Sequence, residues 1–158
     1  MGKLNSIGLE EDLAKELSAK LNELLANYSI FYMNTRGFHW NIAGEKFFEL
    51  HVKFEELYNN LVLKIDEVAE RVLTLGFHPM HAYTDYIDAS DILSIKNVSD
   101  GKIAVQCILD SFTVLITKQR SLLELATKAN DEGTNALMSD YIREQEKMVW
   151  MYRAYMGK

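Results

Sequence analysis

Along the first quarter of the chain, apolar residues recur at steps of three and four: Leu9, Leu13, Leu17, Leu21, Leu24, Leu25, Tyr28, Phe31 and Tyr32. That period predicts an amphipathic helix over about residues 9–36, broken by Gly37 and the 41–44 stretch. A second helix is predicted from about Glu45 to Leu75, with Phe47, Phe48, Phe54, Leu57, Leu61, Ile65, Val68 and Val72 as its apolar set. Gly76 supplies a C-terminal glycine and Pro79 a stop. Residues 77–100 are less periodic, with a short helix near Thr84–Ile92. Ser99 or Asp100 can cap a third long helix over about 102–128, and a fourth runs over about 133–156. No strand alternation or repeat appears. The pattern predicts an all-α four-helix bundle made of two hairpins. Its crossover must travel roughly 30 Å, the length of a helix of about 20 residues.

Composition narrows the class. The chain has 158 residues, 48% apolar and 25% charged, which suits one domain (1–158) with a short tail over 1–8. The single Cys107 excludes an intrachain disulfide framework and fits a reducing compartment. A net charge of −6 argues against a general nucleic-acid binder. No apolar run is long enough to span a membrane, and the first residues contain no signal-type apolar segment, so the expected location is the cytoplasm. Met1-Gly2 and the Asn27 and Asn97 acceptor patterns are too short to change this picture.

The polar residues of the second helix carry the chemistry. His51 and Glu55 are four apart, as are Asp66 and Glu70, and 11 residues separate Glu55 from Asp66. These spacings put all four on one stripe. His39 lies just upstream, at the end of the first helix. Imidazoles with carboxylates suit Fe(II), Zn(II) or Mn(II). Eleven residues of helix span about 16.5 Å, whereas metal–ligand bonds are about 2 Å and paired metals sit about 3.5–4 Å apart. One chain therefore cannot close the centre. Two chains pairing this helix antiparallel can, because 51/70 and 55/66 share one midpoint, between Asn60 and Leu61. His51 would then meet the partner copy's position 70, and isologous pairing would make two identical sites per dimer.

Here the sequence resembles a known family. His39-Trp40-Asn41-Ile42-Ala43-Gly44 with Leu50-His51 and Glu55, then Ile65-Asp66-Glu67-Val68-Ala69-Glu70-Arg71 followed by Leu75-Gly76 and Pro79, resemble the two signatures of the Dps (DNA-binding protein from starved cells) mini-ferritins. The Glu-x-x-His pattern of larger ferritins is absent. The resemblance implies a ferritin-like bundle with a short extra helix in the crossover, assembled as a dodecameric shell. It implies iron ligands His39, His51 and Glu55 from one subunit and Asp66 and Glu70 from its two-fold mate. Trp40 matches the family's Trp beside the centre, where it helps take up oxidising equivalents. The implied activity is a ferroxidase and iron store that protects against oxidative stress. It would oxidise Fe(II) with hydrogen peroxide in preference to O2, with Zn(II) or Mn(II) as competing occupants. The family also implies an acidic iron-entry pore near the start of the last helix, where Asp131, Glu132 and Asp140 stand. Ala136 departs from that pattern.

DNA condensation, for which the family is named, is expected to be weak or absent, because the tail before Leu9 carries only Lys3 and the shell would be strongly anionic. The alternatives are a DNA-compacting nucleoid protein, or a surface-recognition shell with secondary iron binding. His78 and His81 could bind an extra metal but are more readily surface histidines. Met138, Met148, Met151 and Met156 read as packing, as do Trp150, Tyr152 and Tyr155. Cys107 reads as buried and inert.

Overall fold

The computed structural model describes residues 2–158. Five helices account for nearly all of it: α1 (Glu11–Asn41), α2 (Phe47–Thr74), α3 (Tyr83–Ala89), α4 (Gly101–Lys128) and α5 (Glu132–Tyr155). α1 packs on α2, α4 on α5 and α1 on α4, which gives two antiparallel hairpins, and α3 lies against α1. Leu17, Leu21, Leu24, Tyr28 and Phe31 from α1 meet Phe54, Leu61, Ile108, Phe112 and Leu115 in a fully buried core.

The periodic segments are where the sequence puts them, with one difference. α1 does not stop at Gly37 but continues to Asn41. A single helical glycine costs only about 1 kcal/mol, and Phe38 and His39, both buried, hold the extra turn in place. His39 is thereby a helix residue rather than a linker residue.

The helix ends follow local chemistry. At the end of α2, Gly76 has φ +96°, its N–H donates to the Leu73 carbonyl, and Phe77 N–H donates to Val72. That left-handed closure suits glycine. Asn130 (φ +56°) plays the same part after α4, with Asp131 N–H returning to the Ala126 carbonyl. Asp100, as expected, caps α4 by accepting from Ile103 N–H.

The crossover lies along α1 and is tied there by three asparagines. Asn22 donates to the His78 carbonyl and accepts from Met80 N–H. Asn27 accepts from the N–H groups of Asp91 and Ile92, and Asn34 brackets Leu93 and Ile95. These amides satisfy backbone groups that no helix or strand can pair. Asn27 is fully buried, so the acceptor pattern there is a structural strap, not a glycosylation site.

A polar strip on α2 joins it to α5. Asn60 and the buried Lys64 both donate to Glu144, Tyr141 donates to Glu67, and Arg71 donates to Asp131 and Thr134. Deeper in the bundle, Tyr28, Gln119 and Gln145 close a buried ring of hydrogen bonds of 2.5, 2.8 and 2.6 Å. Burial, chiefly, pushes the Tyr28 and Tyr141 hydroxyls well above the ordinary phenol range.

Candidate metal centre

The two histidines sit where the last turn of α1 passes the first turns of α2. His39 Nδ1 lies 2.6 Å from the His51 carbonyl oxygen, and His51 Nδ1 lies 2.8 Å from the His39 carbonyl oxygen. A carbonyl only accepts, so both Nδ1 atoms carry the proton. That fixes both tautomers and leaves each Nε2 lone pair free, as metal-ligating histidines require. The imidazoles stack with centroids 3.8 Å apart and planes 14° from parallel. Phe47 continues the stack beyond His51 at 4.9 Å, and Tyr58 closes it against His39 at 5.3 Å.

Glu55, Asp66 and Glu70 are exposed on one stripe of α2. Among the described residues, none of these three carboxylates accepts a hydrogen bond or joins an ion pair, whereas Glu49 pairs with Lys46, Glu56 with Lys53 and Glu67 with Tyr141. Apolar side chains share the stripe: Phe48 is 79% exposed, Leu63 67% and Leu73 53%. Beside it lies a groove of about 400 Å³ between α1, α2 and α3, lined by Met33, Val62, Ile65, Tyr83 and Ile87. Exposed apolar area of this kind marks a contact surface.

His39 and His51 come together with Glu55 one turn on, while Asp66 and Glu70 stand three turns further along α2. Among the described residues no three His, Cys, Asp or Glu side chains converge on one point. Each chain therefore carries two half-sets at the two ends of one stripe.

The remaining candidates separate. Trp40 is 59% exposed, with the Arg36 guanidinium 5.0 Å from its ring. Glu132 is exposed in the first turn of α5, and Asp140 is exposed and paired with Arg143. Asp131 differs from the pore expectation. It is buried, with one oxygen accepting from Arg71 at 2.6 Å and from Thr134 N–H, and the other from the Thr134 hydroxyl. Both oxygens are occupied by a cap and an ion pair, so this carboxylate does not face solvent. His78 and His81 are exposed, and His81 Nδ1 contacts the Pro79 carbonyl. Cys107 is half-buried, and that burial pushes its thiol up, as suits an unreactive cysteine.

Sequence reasoning passed over Tyr58 and Arg36. The guanidinium lies 4.6 Å from the Tyr58 ring centre and donates to the Tyr32 hydroxyl at 2.7 Å. The signal was present: Tyr32 and Arg36 share an i, i+4 face, and Tyr58 stands one turn past Glu55.

Known proteins share this fold. A family model described as a ferritin-like domain matches residues 18–158. A DNA protection during starvation protein from Porphyromonas gingivalis is 37% identical over 155 residues, covering 98% of each chain. The crystal structure of a Dps protein from Vibrio cholerae O1, described as belonging to a superfamily of ferritin-like diiron-carboxylate proteins, superposes with a TM-score of 0.96 at 55% identity over 97% of this chain and 96% of that one. A Dps protein from Bacillus brevis gives 0.89 at 30% identity over 92% and 97%. The ferritin-like family model over residues 18–158 and relatives of this similarity along nearly their whole length place the chain in the Dps family of ferritin-like mini-ferritins.

Proposed function

We propose that the chain is an iron-storage and detoxifying ferroxidase, active as a dodecameric shell in the cytoplasm, with a two-iron centre at each two-fold contact. The observation that carries this reading is the stripe: three carboxylates without partners among the described residues, two imidazoles with free Nε2 atoms, and spacings 51/70 and 55/66 that share a midpoint at Asn60/Leu61. His39, His51 and Glu55 of one subunit and Asp66 and Glu70 of the other are the proposed ligands. The apolar residues between them supply the contact. Glu132 and Asp140 are the remaining acids proposed to draw Fe(II) toward an entry pore, by focusing a cation-attracting field.

Iron is the substrate. The neutral imidazoles admit Fe(II), and the hard carboxylates hold Fe(III) more tightly than Fe(II), which lowers the potential and favours oxidation. Two Fe(II) give one electron each to one hydrogen peroxide. Its O–O bond breaks with uptake of two protons, and two waters form in place of a hydroxyl radical. O2 is the slower alternative oxidant. Zn(II) or Mn(II) would compete for the same ligands, and Zn(II), having no redox chemistry, would inhibit rather than turn over. The ferric product then accumulates as mineral inside the shell.

DNA is not a partner in this reading. Residues 3–11 are tied to one another and to the bundle: the Asn5 side chain accepts from Ile7 and Leu9 N–H and donates to the Leu75 carbonyl, and Lys3 pairs with Glu11. Tight duplex retention in a low-salt gel shift would overturn that point. The ferroxidase reading is tested by anaerobic loading with two Fe(II) per site, then limiting peroxide. About two irons oxidised per peroxide, lost in a His51→Ala/Glu70→Ala variant, is the expected result. A rate equal to the protein-free blank would sink the proposal.

A further inference from the structure

The two imidazoles of the proposed centre sit inside a column of aromatic rings. Phe47, His51, His39, Tyr58 and Tyr32 follow one another with centroids 4.9, 3.8, 5.3 and 6.0 Å apart. The two flanks of the imidazole pair differ chemically. Phe47 has no removable proton and resists oxidation. Tyr58 is buried, packs T-shaped against His39, and becomes a neutral radical once it loses an electron and its phenolic proton. Tyr32 follows, and its oxygen accepts from Arg36, which leaves its own hydroxyl proton free to depart.

We infer that Tyr58, backed by Tyr32, is a built-in one-electron donor to the iron centre, used when peroxide meets a site holding a single Fe(II). The inference rests on the ferroxidase reading above. A lone Fe(II) supplies one electron and peroxide needs two. Tyr58 supplies the second together with its phenolic proton, and one further proton comes from solvent. The O–O bond breaks, two waters form, Fe(II) becomes Fe(III), and a tyrosyl radical replaces a hydroxyl radical. Tyr32 then gives Tyr58 an electron and a proton, which moves the radical one ring further from the metal.

Trp40 is the obvious competitor, and the geometry disfavours it within the subunit. It is more than half exposed, and among the described residues its ring stacks on neither histidine. Arg36 lies over the faces of Trp40 and Tyr58 alike, at 5.0 and 4.6 Å. A cation there opposes positive charge on either ring. Tyrosine escapes this by shedding its proton on oxidation, and an indole holds its N–H more firmly.

The test loads the assembled protein anaerobically with one Fe(II) per site, adds peroxide, and freezes samples for electron paramagnetic resonance. A tyrosyl signal that persists in Trp40→Phe and vanishes in Tyr58→Phe is the expected result, with the two-iron peroxide assay run alongside on the unaltered protein. If that assay fails, the ferroxidase reading falls first. If it succeeds and no radical forms, or the radical vanishes in Trp40→Phe and survives in Tyr58→Phe, the relay is overturned. A Tyr58→3-aminotyrosine protein guards against a variant that merely misfolds. Extra nitrogen splitting in its signal supports the relay, and an unchanged or absent signal sinks it.

Discussion

α2 carries two polar strips that obey opposite rules. The inner strip, Asn60, Lys64, Glu67 and Arg71, faces α5, and every member has a partner there. The outer strip, Glu55, Asp66 and Glu70, has none among the described residues, although Glu49 and Glu56 nearby are paired. Both strips repeat at helical spacing and both are charged, so composition does not tell them apart. The inner strip is closed and specifies how the hairpins meet. The outer strip keeps its lone pairs unused among the described residues, which is what the proposed metal centre requires.

The largest effect should come from crossing that line on the outer strip. Glu55→Gln with Glu70→Gln should slow peroxide-driven iron oxidation by more than the roughly 10–100-fold that outer-sphere partners cost, while the urea midpoint stays within about 0.5 kcal/mol of the parent. A stability loss as large as the activity loss would mean the outer strip is structural after all. On the inner strip the pattern should invert. Glu144→Ala strands the buried Lys64 ammonium and should cost about 3 kcal/mol in denaturant unfolding. Lys64→Met/Glu144→Leu should recover most of it, because replacing both partners leaves no charge behind. An unchanged midpoint for Glu144→Ala would show that the strip does not hold α5.

Asp131→Ala sharpens the boundary case. It removes a cap worth about 1 kcal/mol and an ion pair with a mostly buried Arg71, so about 2 kcal/mol in thermal or urea unfolding is expected. Iron uptake by the shell should slow far less than in Glu132→Ala. The reverse order would return Asp131 to the pore. The smallest effect concerns Tyr152, whose hydroxyl burial, chiefly, pushes upward from the ordinary phenol value, with Glu56 adding to it. A phenol raised in the folded state contributes stability that is full below about pH 10 and declines as pH rises beyond it. Tyr152→Phe should leave neutral stability nearly unchanged and flatten the loss of stability above about pH 10. An unaltered alkaline slope would contradict the assignment.

What the sequence displayed depended on range. The helices rest on spacing within one element and could be read directly. Asp131 was ambiguous because a pore acid and a cap both favour the start of a helix, and only Arg71, sixty residues upstream, decides between them. Gly37 was misleading because the packing of Phe38 and His39 outweighs one unfavourable residue. Tyr58 and Lys64 carry no signal of their surroundings in the sequence, because their neighbours come from other helices. The reciprocal histidine contact was invisible for the same reason. It spans twelve residues and exists only once the hairpin has closed.

That contact makes the site's integrity a matter of local unfolding. The hydrogen bonds that orient the two imidazoles also staple the end of α1 to the start of α2, so any opening of this corner releases both imidazoles together. A metal held by both Nε2 atoms must then stabilise the closed corner by mass action. Iron would thus slow amide exchange around residues 39–51, and the hairpin end would sense occupancy without any larger change of shape.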